Sequence, residues 1–187
     1  MQKIILENTV LALLKAAPGL GSIHIRKGLI LIDAYYHSLF GKTLTDVTYV
    51  KHDLGPVPDP EANNVLFGME FGKIAVKPEK KGNYFQKGHW ALVDPKYNLL
   101  PPKSVEIIRE VAHLIKPMTA SHLSHITHDE IWASTTKGAV IPIEKMYSLE
   151  FLGRKTRKLT HAEKAEVKGT LEGIYNRNEL KLSAGNR

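Results

Sequence analysis

The sequence predicts an α+β fold, mainly α: a compact helical domain with a small antiparallel β-hairpin or three-stranded sheet at about residues 73–93. Three observations predict it. Apolar residues recur at helical spacing on both sides of the middle of the chain. Between them lies a β-branched and aromatic cluster broken by polar turn residues. Glycine, proline and capping residues punctuate the whole at intervals suited to short helices.

Leu6, Val10, Leu13 and Leu14 form one stripe of a first helix from Ile4 to Ala17, stopped by Pro18-Gly19. Ser22 is the expected N-cap of a second helix, about Ile23 to Phe40, with Ile25, Leu29, Ile32, Tyr36 and Leu39 or Phe40 on one side and Gly41 at its C-terminus. Thr45 is placed to cap a short turn through Tyr49, and Asp53-Leu54-Gly55-Pro56-Val57-Pro58 reads as a rigid loop. Asp59-Pro60 predicts the N-cap and first position of a third helix running to about Phe71. Ile74 to Lys77, Tyr84-Phe85 and Trp90 to Val93 are the strand candidates. Val105, Ile108, Val111, Ala112 and Ile115 make the next helical stripe, followed by a short helix over 119–126. Thr127-His128-Asp129-Glu130 has the spacing of a capping box, Thr127 accepting from the backbone at Glu130. Gly138 is expected to end that helix, Pro142 to start another reaching Leu152, and Thr160 to Glu163 to cap a final basic helix.

The boundaries expected are a domain over 1–152 and a basic linker and helix over 153–187. Net charge is +7, but it is uneven: residues 151–187 hold 9 basic and 4 acidic side chains, and the preceding body is nearly neutral. This argues against a nucleic-acid groove in the body and leaves Arg154, Lys155, Arg157 and Lys158 as contacts for an acidic partner or a phosphate backbone. The absence of cysteine excludes disulfides, thiolate zinc sites and cysteine nucleophiles. It fits a reducing, cytoplasmic setting. No apolar run approaches the roughly 20 residues that span a bilayer, so no membrane role is expected, and the first residues read as a helix and not as a secretion signal.

Histidine is the first place to seek chemistry, since His113, His122, His125 and His128 cluster in sequence. A zinc site needs imidazoles that converge, but positions six apart on a continuous helix rotate about 600° and diverge by roughly 120°. Helix-boundary histidines bonded to carbonyls explain the spacing without metal. His128, Asp129 and Glu130 form an alternative acid–base set, although a capping box already accounts for Glu130. Trp132 reads as a core anchor. No phosphate loop, dinucleotide fingerprint or nucleophile elbow is present. No cofactor, metal or catalytic set is therefore expected.

Three stretches, taken in order, resemble the Panacea domain of SocA-like antitoxins and phage-associated proteins. They are Leu29 to His37 running into Gly41-Lys42-Thr43-Leu44-Thr45, then Asp53-Leu54-Gly55-Pro56-Val57, then Leu123 to Trp132 with Ser124, Thr127, His128, Glu130 and Trp132. The resemblance covers about residues 24–150. It implies an antitoxin that binds a cognate protein toxin, encoded next door, and blocks it; in one branch of the family it also implies an adaptor role towards a protease or chaperone. Blocking requires an interface of roughly 1,200–2,000 Å² with a few aromatic or arginine anchors. Tyr35, Tyr36, Tyr84, Phe85 and Trp90 are the candidates, and the hairpin could offer an edge strand. The rival readings are a hydrolase or metal-dependent enzyme using the His128/Glu130 region, and a nucleic-acid-binding regulator using the basic tail. The first and last helices lie outside the family's core, which leaves the partner's identity open.

Overall fold

The computed structural model describes residues 3–143, and the expected helices from Pro142 to Leu152 and from Thr160, with the basic cluster at Arg154 to Lys158, lie outside them except for the first two positions. The elements run α1 (Lys3–Ala16), α2 (Ser22–Phe40), β1 (Tyr49–His52), β2 (Gly55–Pro58), α3 (Pro60–Met69), β3 (Ile74–Lys81), β4 (Tyr84–Ala91), a 3₁₀ turn (Tyr97–Leu99), α4 (Ser104–Ile115), α5 (Ala120–Ile126) and α6 (Glu130–Ser134). The fold is α+β and mainly α, as the sequence predicts. No described helix is long and apolar enough to cross a membrane.

α2 is the central element. Every residue from Lys27 to Tyr36 is buried, because α1 and α4 cover two of its sides and β2 and α5 cover others. A helix apolar nearly all round has to be enclosed. Gly28 permits the close approach: a Cβ there would stand 3.0 Å from both Leu13 Cδ2 of α1 and Ile115 Cδ1 of α4. The His24 imidazole reaches the Met118 carbonyl at 2.8 Å, tying the start of α2 to the α4–α5 link.

Several boundaries differ from expectation. Gly21, and not Ser22, is the N-cap of α2, and no side chain caps it. Asp59 does cap α3, accepting from the Ala62 amide at 2.8 Å, with Pro60 in the first turn. β3 and β4 form a two-stranded hairpin, so the three-stranded alternative does not occur. The stretch read as a loop is a second hairpin, β1–β2, with Tyr49 opposite Pro58 and His52 opposite Gly55. Its second strand escaped notice because Pro56 and Pro58 lack the N–H that a ladder uses.

Those prolines fall where no N–H is needed. The outward backbone of Lys51 and Tyr49 on β1 pairs with residues 138–141: Lys51 N donates to Ala139 O at 2.9 Å, and Ile141 N to Tyr49 O at 2.8 Å. By the alternation of antiparallel ladders, their opposite numbers Pro56 and Pro58 also face outward, on the other edge. That edge has no free donor in the strand, and its Pro56 carbonyl is taken by Lys27. β3 is treated similarly. His89 of β4 spends its backbone on Gly19 and Leu20, so its mate Val76 faces outward, and with it Pro78. A proline at an open edge discourages further pairing, and strand addition by a partner finds no clean ladder here.

Asp33, on α2 and fully buried, fixes the crossing from α2 to β1. Its carboxylate accepts from Leu44 N at 2.9 Å, Thr45 N at 2.7 Å, the Tyr49 hydroxyl at 2.7 Å, and the Thr45 hydroxyl. Burial pushes the Asp33 carboxyl above the ordinary carboxylate range, against the pull of these donors. Thr45 is thus a ligand of Asp33 and caps nothing. Asp33→Ala orphans four donors at once and is expected to cost about 3–5 kcal/mol, read as a lower urea midpoint at unchanged slope; a loss below about 1 kcal/mol would show that the crossing is held by other contacts.

Candidate functional site

The second and third motif stretches come together in one clasp around the tip of the β1–β2 hairpin. Gly55 follows the two-residue turn Asp53-Leu54 and has φ +93°, a left-handed conformation that side chains rarely adopt. A Cβ there would collide with Lys27 Nζ and lie 2.9 Å from both His128 Nε2 and Thr127 Oγ1. The glycine is therefore required twice over, by its backbone and by three neighbours from α2 and the α5–α6 junction. Lys27 Nζ donates to Pro56 O at 2.8 Å while only 2% exposed. Burial, with Arg26 beside it, lowers the Lys27 amine to about 7.

On the other side of the hairpin, Trp132 Nε1 donates to His52 O at 3.1 Å, and the His128 ring lies flat on the Trp132 ring, centroids 3.9 Å apart and planes 5° apart. Lys51 Nζ sits 4.4 Å from the same indole and donates to Thr135 O at 2.7 Å. Lys137 pairs with Asp53 at 2.7 Å on the surface and holds that carboxyl below its ordinary range. Burial, with Lys27 nearby, lowers His128 to about 4, and its Nε2 is buried without a hydrogen-bond partner. A neutral imidazole stacked on an indole is a packing plate for the hairpin tip.

The capping box expected at Thr127 does not form. Thr127 ends α5, its backbone at φ −93° and ψ 2°, and its hydroxyl donates back to Ser124 O at 2.9 Å. Asp129 has the extended backbone of an N-cap and accepts from Trp132 N at 2.9 Å, which starts α6 two residues later than expected. Glu130 is left exposed in the first turn of α6. α6 ends at Ser134, so Gly138 lies in the turn leading to the strip paired with β1 and stops no helix. Trp132 is half-buried against the core rather than enclosed by it.

The aromatic partner candidates divide. Tyr35 is 1% exposed and donates to Glu110 at 2.8 Å, and Tyr36 is likewise in the core, so neither offers surface. Tyr84 opens β4, Phe85 beside it is 71% exposed, and Trp90 is half-buried. His125 and His128 have ring centroids 6.4 Å apart, and among the described residues no group of three or more His, Asp or Glu is placed to hold a metal ion.

Beside the clasp opens a cleft of about 480 Å³ between the first turns of α2, the β1–β2 hairpin and α3. Val10, Ile25, Leu66 and Ile74 line its depth; Arg26, Leu54 and Phe67 stand on its banks. Sequence reasoning missed Arg26, Lys27, Leu54 and Phe67. The available signal was the pair Phe67 and Phe71, four apart across the end of α3, the second in the turn that follows it; their rings lie 5.2 Å apart and both are exposed.

What the clasp builds is a rigid helical module that fixes a hairpin tip beside an apolar cleft. The family described as "Antitoxin SocA-like, Panacea domain" matches residues 25–133, more than half of the chain, and the chain belongs to that family. The match lies inside the stretch of resemblance and contains the clasp from Lys27 to Trp132, with Thr135 and Lys137 just beyond it. No curated protein and no solved structure matches the chain.

Gly55→Ala is expected to lower stability by about 2–4 kcal/mol, seen as a fall in melting temperature, because both the positive φ and the space are lost; a variant as stable as the parent would show the tip free to move. A second expectation concerns acid. Between pH 6.5 and 4 the unfolded chain protonates at His128 while the folded chain does not, so stability falls as pH drops through that window, by about 2 kcal/mol after allowing for partial exposure. An NMR titration checks it: the His128 ring protons should still report neutral imidazole at pH 5, and a midpoint near 6.5 would contradict the burial argument.

Proposed function

We propose that this protein is an antitoxin that binds a cognate toxin and neutralises it by direct contact between folded surfaces. Membership of the SocA-like antitoxin family over residues 25–133 is the observation that carries the reading. The surface supports it: Leu54, Phe67, Phe71 and Phe85 are all more than half exposed, apolar side chains of the kind that anchor protein interfaces. The backbone edges favour side-chain recognition over strand exchange, since Pro56, Pro58 and Pro78 occupy outward slots. Neutralisation of this kind needs a stable complex, not turnover, and the buried, stacked His128 serves that need by holding the surface still.

The test is co-expression with the product of the adjacent gene. Growth arrest caused by that product is expected to be relieved, and the two purified proteins to elute together by size exclusion and bind with a Kd at or below roughly micromolar. A toxic neighbour whose arrest persists in the presence of folded protein would defeat the reading.

A further inference from the structure

We infer that the cleft between α2, the β1–β2 hairpin and α3 is the toxin-docking site, and that the segment it receives carries an apolar side chain next to a carboxylate. The inference rests on the antitoxin reading and names the surface and chemistry that reading leaves open.

The cleft combines three features. Its depth is apolar, lined by Val10, Ile25, Leu66 and Ile74. Its banks are exposed apolar side chains on opposite elements, Leu54 at 59% exposure on the hairpin tip and Phe67 at 61% on α3, which face water where burial would be favourable. Its charge is cationic at the α2 side: Arg26 is exposed, lies next to the buried Lys27, and has no ion pair with a carboxylate among the described residues. Glu70 lines the cleft, but its recorded contact is to His89 Nε2 at 3.7 Å.

An apolar floor beside a guanidinium with no carboxylate partner among the described residues is complementary to an amphipathic acidic segment. Arg26 disfavours a basic one along the α2 bank. That argues against the chain's own C-terminal region as occupant, since residues 151–187 carry 9 basic and 4 acidic side chains. The clasp explains why the site is ready without rearrangement. Gly55, held against Lys27, Thr127 and His128, fixes the tip that presents Leu54, so little ordering is left for the moment of binding. Apart from Val10, Ser22 and Ile23, every lining residue falls within 25–133, the span shared with the family.

The experiment uses the full chain and the toxin encoded by the adjacent gene, in a growth-rescue assay and in titration calorimetry with an inactivated toxin. Phe67→Asp, Leu54→Asp and Arg26→Glu are the cleft variants. Phe40→Asp is the control, because Phe40 is exposed at the far end of α2, about 27 Å along the axis from Ser22. Phe85→Asp tests the β3–β4 hairpin. All five positions are exposed, and circular dichroism melts confirm that each variant is folded. Each cleft variant is expected to weaken binding by roughly tenfold or more and to lose rescue. Arg26→Lys should retain most of the affinity, and the salt dependence of parental binding should be reduced in Arg26→Gln. Phe40→Asp should behave as the parent. If the folded cleft variants rescue fully, or only Phe85→Asp fails, the cleft is not the docking site although the antitoxin reading stands. If the parent itself fails to bind or rescue, both fall.

Discussion

The carboxylate of Asp33 is the interaction on which the rest of this structure leans. It has no ion-pair partner among the described residues, is enclosed in the central helix, and accepts four hydrogen bonds, all from the 44–49 crossing. Burying such a group unpaired would cost far more than a domain can spare, so the four donors are a condition of the fold. They fix where Tyr49 begins β1, and the ladder from Tyr49 fixes the register of β2. On the same helix, Lys27 receives the other strand of that hairpin through the Pro56 carbonyl. A buried acid and a buried base six positions apart thus hold one hairpin from its two strands, and neither is used to neutralise the other.

From that hairpin the position of the exposed tip follows. The α5–α6 segment closes over its far side through the indole of Trp132, the stacked imidazole of His128 and the ammonium of Lys51. Residues 138–141 then run along β1 and seal its remaining edge. Two stretches that are far apart in the chain are in this way one mechanical unit. The Leu-Ser…Thr-His…Trp residues act on the surface by positioning the tip, and Leu54 meets the solvent on their behalf.

Much of the helical framework was legible because it is locally encoded. Asp59-Pro60 and Gly41 sit at helix ends where backbone geometry alone selects them. Ile108, Val111, Ala112 and Ile115 of α4 are buried as their helical spacing predicts, while Ile107 joins them from outside the predicted stripe and Val105 is half-buried. The β1–β2 hairpin was not legible, since two prolines in four residues argue against a strand unless one knows which way each faces. Thr127 and Asp129 both have the chemistry of an N-cap, and the choice depends on how far α5 runs, which the local sequence leaves undecided. Lys27, Asp33 and the burial of Tyr35 were invisible for a common reason, whereas Tyr36 already lay on the predicted apolar side. On an amphipathic reading α2 has a wet side, and only the packing of α1, α4 and the hairpin removes it.

The prolines on the outer slots of β2 and β3 have an evolutionary consequence. Backbone pairing between two chains is nearly blind to side-chain identity, so a protein that offered a bare ladder would tend to recruit many extended peptides indiscriminately. With the ladder withheld, the proposed docking leaves discrimination to a few exposed side chains on the fixed hairpin tip and α3. On the docking proposal, replacing Leu54, Phe67 or Arg26 redirects the choice of target without disturbing the register of any strand, which lets a lineage follow a changing adversary by single substitutions.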